Sequence, residues 1–347
     1  MPVNAAIGHE ANRDDRVVTA GLGELLRINV LYLGDGYLAG QKDRFMQDVA
    51  RFNAAIMIEP LSGYTRYFNA YAAFVPSSES GASKEDGSTL RDTAFLCSYY
   101  TNDVDRMLTC NSRRVMTMKK QLLPNADFIV MIVNSAQFGG AGGAMVVANR
   151  TSSDIVLHEF AHTFANLADE YGGTEAYGEE QPSAYEAGTL QCYEAVNVTR
   201  QTERAQIPWA HWLDADVPLP TQPETASAST IGLFEGANYL AKGVYRPTLN
   251  SLMRDESQPL GPVNTEAFVL AIYDRVSPID KVAPAPNSTV IWQGPGTLSV
   301  HGHHRHVDVA GGPRLFQASR PGQGKRAEAE PANDAAFDRR LPRRSWQ

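Results

Sequence analysis

"HEFAHTFANLADEY" occupies positions 158–171, and the rest of the chain is best read outward from it. On a helix, residues four apart share one face, so His158 and His162 can aim two imidazoles at one metal ion. Glu159, beside the first histidine, can then reach a water on that ion. This is the H-E-x-x-H arrangement of zinc hydrolases, in which the metal acidifies water and the glutamate takes its proton. Such a motif arises by accident in roughly one chain in a hundred of this size. The competing reading is a solvated helix that happens to carry two histidines. The surroundings oppose it: "GAMVVAN" (143–149) is apolar, as is most of "DIVLHEFAHTFANLA" (154–168). Unpaired imidazoles and a carboxylate buried among such residues would be costly.

A catalytic zinc needs a third protein ligand and an open position. Of the eight histidines, His9 lies near the start and His301, His303, His304 and His306 crowd the end, which leaves His211 as the one further imidazole to consider. Asp169 and Glu170 are closer. In the elongated pattern HExxHxxGxxH, a glycine ends the helix left-handed and the ligand follows three residues later. Here Ala165 stands at the glycine position, but Asn166 follows and tolerates that conformation. Three residues beyond Asn166 is Asp169. The shorter side chain suits a ligand so near the turn, so Asp169 is preferred, with Glu170 as the alternative and His211 behind both.

Strand and helix signals alternate on the N-terminal side. "LRINVLYLGDGY" (26–37) reads as a buried strand ending in a turn, and "QKDRFMQDVARFNAAIM" (41–57) has helical spacing at Phe45, Val49, Phe52 and Ile56. "YFNAYAAFV" (67–75) reads as a strand, 101–123 as a helix, and 127–134 as a further strand. A glycine-rich turn and a short apolar strand lead into the motif helix, expected from Thr151 onward. This order predicts an α/β fold with a mostly parallel sheet and helices on its faces. Positions 172–230 are irregular, 264–276 form a last helix, and "VAPAPNS" (282–288) is a proline linker. Beyond it "STVIWQGPGTLSV" (288–300) offers one strand, and 301–347 is too poor in apolar residues to fold. The expected division is a catalytic domain over 1–280, with a linker, the remnant of a β-module and a disordered tail over 281–347.

A net charge of −8 gives no reason to expect nucleic acid or an anionic membrane as partner. No apolar run is long enough to span a bilayer, and the opening stretch lacks the pattern of a signal peptide. The cysteines, Cys97, Cys110 and Cys192, are too few for a disulfide scaffold. Cys97 and Cys110 can bridge in an exported protein; three buried thiols are the other reading. Oligomeric state is not legible.

The motif, together with "VLYLGDGY" (30–37), "FVPSSESG" (74–81), "NSAQFGGAGG" (134–143), "IPWAHWL" (207–213) and "EGANYLAKGVYRPTLNSLMR" (235–254), resembles the IgA metallopeptidase family of bacterial zinc peptidases. The stretches keep the family's order and cover roughly 28–275. The resemblance implies a zincin-like, metzincin-like domain, Zn2+ as cofactor, a protein or peptide substrate, and a secreted or periplasmic location. The chain departs from the family outline in its missing export signal and N-terminal extension, and in a C-terminal β-domain cut short after about Val300.

Other candidates carry two readings each. Met253, in "NSLMR", is either the methionine beneath the zinc of a metzincin-like turn or a core methionine. Gly139, Gly140, Gly142 and Gly143 either let a substrate backbone approach along an edge strand or make a simple hairpin turn; they are no phosphate loop, lacking Gly-Lys-Ser/Thr. An oxyanion donor is sought among Tyr171, Tyr245, Arg246 and His211, with Tyr245 first because it precedes the methionine turn. "HGHHRH" (301–306) can bind metal loosely but reads better as tail. Three functions compete: a zinc endopeptidase working through Glu159, a zinc hydrolase of a non-protein amide such as cell-wall peptide, and an inactive binding module. The last has no need of Glu159.

Overall fold

Every residue of "INVLYLGD" is buried, which a strand achieves only at the centre of a sheet covered on both faces. The computed structural model describes residues 3–8, 27–59, 61–172, 195–277, 279–283 and 299–302. In chain order the strands are β1 (Val3–Gly8), β2 (Ile28–Asp35), β3 (Phe68–Phe74), β4 (Ser83–Lys84), β5 (Ser98–Tyr99), β6 (Phe128–Val133), β7 (Gly140–Ala141), β8 (Val146–Asn149), β9 (Phe234–Ala237), β10 (Leu240–Arg246), β11 (Ile279–Ala283) and β12 (Ser299–Gly302). The α-helices are α1 (Lys42–Ile56), α2 (Ser112–Leu122), α3 (Val156–Ala165) and α4 (Pro262–Arg275).

The main sheet has the order β1-β3-β2-β6-β8-β7. All its pairings are parallel except β7 with β8, so the expected mixed, mostly parallel sheet is present. Alternation along β2 divides the core. Val30 and Tyr32 face one layer with Phe45, Val49 and Phe52 of α1, Phe160 and Phe164 of α3 and Phe268 of α4. Leu31 and Leu33 face the other, with Val115 of α2 and Phe95, Cys97 and Tyr99. Phe164 is stacked between Phe160 and Phe268, with ring centroids 5.0 and 5.4 Å away. The helix that carries the histidines is thereby fixed by its opposite face.

The sheet's carboxyl end is organised by Asp35. Its fully buried carboxylate accepts from Phe95 N–H (2.8 Å), Cys97 N–H (2.9 Å) and the Thr93 hydroxyl (2.8 Å). Burial pushes its pKa up, and those donors work against the rise. Next to it Gly36 is left-handed, φ 69°, and a Cβ there would meet the Gly81 carbonyl oxygen at 2.0 Å. Asn134 Nδ2 donates to Gly36 O at 2.8 Å and to Ser80 Oγ at 3.1 Å. Three of the quoted stretches, around 35, 80 and 134, thus meet at one junction.

Several expectations need correction. The helix expected over 101–123 begins only at Ser112. The residues before it are held otherwise: Cys97 and Cys110 are joined by a disulfide, and Ser98 and Thr109 exchange backbone hydrogen bonds of 2.8 and 3.0 Å. Asn111 then caps α2 by accepting from Arg114 N–H. The motif helix starts at Val156, five residues later than Thr151. The N-terminus contributes β1, whose pattern the sequence reading passed over. A hairpin, β9 and β10, lies between the irregular stretch 172–230 and the last helix, where the sequence reading assigned no element. Most of the strand expected over 288–300 lies outside the described residues; its last two residues open β12, which joins β11 antiparallel, and β11 itself spans the expected boundary at 280. The proline linker from Pro284, Cys192, and the tail beyond Gly302 lie outside the described residues.

Asp35→Ala would leave two buried amides and a hydroxyl without their acceptor. It is expected to lower unfolding free energy by about 3 kcal/mol, measured by urea denaturation.

Candidate functional site

Helix α3 divides its faces as the spacing requires. Phe160, Ala161 and Phe164 are buried in the core, while Glu159, His162 and Thr163 keep partial exposure. The helix ends at Asn166, which is left-handed at φ 53°, ψ 42°. Leu167 N–H then donates to Ala161 O at 3.4 Å. That turn delivers Leu167 O to His162 Nδ1 (2.7 Å) and lets the chain fold back, so that Asp169 faces both histidines.

The donor set fits a metal ion. His158 Nδ1 donates to Leu252 O at 3.0 Å, as His162 Nδ1 does to Leu167 O. Both protons are thereby placed on Nδ1, and both Nε2 lone pairs face inward. The Nε2 atoms are 3.1 Å apart, and Asp169 Oδ1 lies 3.0 Å from that of His158 and 3.3 Å from that of His162. Ligands of a tetrahedral ion with bonds of about 2.0–2.1 Å are about 3.3 Å apart. Asp169 Oδ1 is buried with no hydrogen-bond donor, and His158, His162 and Asp169 are the metal-capable cluster found among the described residues. Burial disfavours charge on His158, but the Asp169 carboxylate outweighs it and lifts the imidazole to about 9. Burial likewise opposes the Asp169 charge, yet the two imidazoles hold its carboxyl well below the usual range.

Around this cluster lie residues that fix it. Tyr239 donates its hydroxyl to Asp169 Oδ2, and its oxygen is 3.1 Å from that of Tyr171. Tyr239 stands at the tip of the β9–β10 hairpin, where Asn238 and Tyr239 both have positive φ, 49° and 65°. That is the two-residue turn matching strand twist. Glu170 turns away: its carboxylate accepts from Asn197 (3.0 Å), Asn264 (2.8 Å) and Ser251 (2.7 Å). Its amide donates to Met253 O at 2.7 Å. Met253 is fully buried beside Leu252, whose carbonyl holds His158.

Glu159 is pushed up by burial, with the two histidines opposing that rise. Gly142 stands against it: a Cβ at Gly142 would lie 2.8 Å from Glu159 Oε2. Gly139 and Gly140 are packed against Arg106 O and Val147 O, and Gly143 has φ 131°.

The sequence model described as IgA Peptidase M64 matches residues 21–227, more than half of the chain. The chain belongs to the IgA peptidase M64 family. It is therefore a member of a peptidase family, with a protein or peptide as the implied substrate. A search of curated proteins finds no match. The matched span contains the histidine motif and ends before the hairpin and the Met253 turn.

Among residues singled out in this M64 chain, the structure brings together His158, Glu159, His162, Asp169 and Gly142, with the Met253 turn beneath His158. Tyr245 is a correction. Alternation along β10 sends Val244 into one cluster, and the Tyr245 ring packs instead against Ile207, Trp209, Leu233 and Val263. Arg246 is used on the carbonyls of Glu235 (2.8 Å) and Leu249 (3.3 Å). His211 bonds Glu266 at 2.8 Å, as Trp212 does at 2.7 Å. Sequence reading missed Tyr239, whose Asn-Tyr turn lacks the glycine that usually marks such hairpins. It missed Arg106 as well.

Asp169→Ala is expected to release the metal, since a two-histidine site remains. Glu170→Ala should instead weaken metal affinity only about 10–100-fold and lower stability by about 3 kcal/mol. Chelator titration together with thermal unfolding separates the two.

Proposed function

We propose that this chain is a zinc-dependent endopeptidase with a metzincin-like site, in which His158, His162 and Asp169 hold the ion and Glu159 is the general base. The observation that carries the reading is the convergence of two Nε2 atoms and Asp169 Oδ1, both imidazoles being held by backbone carbonyls. When bound there, zinc supplies Lewis acidity that polarises a carbonyl and acidifies water.

The remaining chemistry belongs to the chain's own groups. Glu159 accepts a proton from the attacking water as its oxygen bonds to the peptide carbon. It returns that proton to the departing amine nitrogen as the C–N bond breaks. Burial, which raises the Glu159 pKa, suits a group that must take up and release a proton. Tyr239 keeps Asp169 oriented, and the turn at Met253 forms the floor.

β7 is the antiparallel edge of the main sheet, and the peptide is proposed to lie along Gly142 and Gly143, where the backbone can be approached closely. Gly140 is less available, because its N–H donates to Arg106 O at 3.2 Å. The Cys97–Cys110 disulfide fits an oxidising compartment, in support of export. Among the described residues no helix is long and apolar enough to cross a membrane.

Glu159→Gln should keep zinc and the folded state while peptide cleavage falls by about 10³-fold or more. Digestion of a mixed peptide library, with elemental analysis of the same samples, checks this; surviving activity would remove Glu159 from the mechanism. Gly142→Ala places a methyl against the Glu159 carboxylate. It is expected to cut cleavage by about 10-fold or more at unchanged zinc content.

A further inference from the structure

The hairpin over 98–109 carries a cation to the mouth of this site. It is closed at its base by the Cys97–Cys110 disulfide and the paired backbones of Ser98 and Thr109. Its far side is fastened to the edge strand: Arg106 O accepts from Gly140 N–H at 3.2 Å, and Met107 bridges Gly140. The backbone of Arg106 is thus held from two directions, while its side chain remains more than a third exposed.

The guanidinium is directed into the site. It interacts with the Tyr171 hydroxyl, and Tyr239 and Glu159 both favour its charge. Tyr171, Tyr239 and Asp169 form a chain of contacts, so one side of the fork is oriented by a relay that begins at a proposed metal ligand. Among the described residues no ion pair joins Arg106 to a carboxylate. A positioned charge that no such pair neutralises, on the side of the site where it acts electrostatically on the proposed general base, is what a reaction developing negative charge on oxygen requires. Tyr245, the donor expected from sequence, is packed elsewhere.

We propose that Arg106 is a catalytic residue that donates to the scissile carbonyl oxygen as it takes on negative charge. The assignment rests on the peptidase reading above. As water oxygen bonds to the carbonyl carbon and Glu159 takes the water proton, the carbonyl π pair moves to oxygen, where Arg106 donates its N–H. When that pair returns, the C–N bond breaks, and the amine nitrogen leaves with the proton from Glu159. Arg106 keeps its own proton throughout, and Tyr171 acts as its positioning residue.

The test uses the zinc-loaded full chain and the fastest-cleaved member of a mixed synthetic peptide library. Arg106→Gln should lower kcat by about 10²-fold while KM moves less than about threefold. Arg106→Lys, which keeps the charge but not the fork, should recover part of the loss. Tyr171→Phe should lower kcat less, and its effect should largely vanish on top of Arg106→Gln, because the two act through one group. A second readout is calorimetric binding of a phosphinic analogue of the same peptide. Its affinity should fall with kcat/KM in Arg106→Gln, while binding of the uncleaved peptide, measured in a Glu159→Gln background, should not. Zinc content and melting temperature should match wild type; should Arg106→Gln not fold, Arg106→Lys carries the same comparison. An unimpaired kcat, a loss confined to KM, or an unchanged analogue affinity overturns the assignment and leaves the peptidase reading standing. A zinc-loaded wild type that cleaves no member of the library overturns both.

Discussion

A carboxylate cannot be buried without donors, and Glu170 is completely buried. Its oxygens are satisfied by Asn197, Ser251 and Asn264, three residues from separate parts of the chain. Each belongs to a segment the site needs. Asn197 also holds Ala168 through both its backbone groups, at 2.8 Å each. Ser251 accepts Met253 N–H at 3.1 Å and so shapes the turn whose Leu252 carbonyl orients His158. Asn264 opens the inner face of α4, which stacks Phe268 on Phe164 of the histidine helix. With Glu170 clamped, its neighbour Asp169 can face only the histidines. The carboxylate beside the proposed ligand is thus the one that assembles the site around it.

The site joins two kinds of support. Above it the main sheet supplies apolar packing, as β8 leads into α3 and the aromatic face of α3 sits on Phe128 and Phe268. Below it the chain over 195–277 has less regular structure, and polar contacts take over: the Glu170 clamp, Arg246 on the hairpin carbonyls, and Tyr239 on Asp169. Apolar packing is tolerant of small changes, whereas a buried polar network is satisfied in few arrangements. The lower half therefore places donors and ligands accurately despite having little sheet or helix of its own.

The hairpin closed by Cys97 and Cys110 shows the same economy. Asp35 ties its root, at Phe95 and Cys97, to the centre of the sheet. Arg106 and Met107 tie its far side to β7. A loop that would otherwise move is braced at both ends, which is the condition for an exposed side chain to act at a fixed point.

The alternating strand and helix signals, and the buried run "INVLYLGD", were enough to determine a covered, mostly parallel sheet, because burial on both faces leaves a continuous apolar signature. The four-residue spacing of His158 and His162 determined their shared helix face, with Glu159 beside the first, since helical periodicity is local. Asn166 as the left-handed stop also followed from local backbone preference, which favoured Asp169 over Glu170 without deciding between them; the distant partners of Glu170 decide it. Other features arise from contacts between residues far apart in sequence. Tyr239 reaches Asp169 across 70 positions, Leu252 reaches His158 across 94, and Arg106 is brought to Tyr171 by a hairpin whose helical pattern was misleading. Tyr245 and Tyr239 are equally plausible as letters in one hairpin; only the turn and the alternation of β10 decide which ring enters the site. Long-range polar contacts leave no periodic trace in a chain, so tertiary structure alone selects among side chains of the same type.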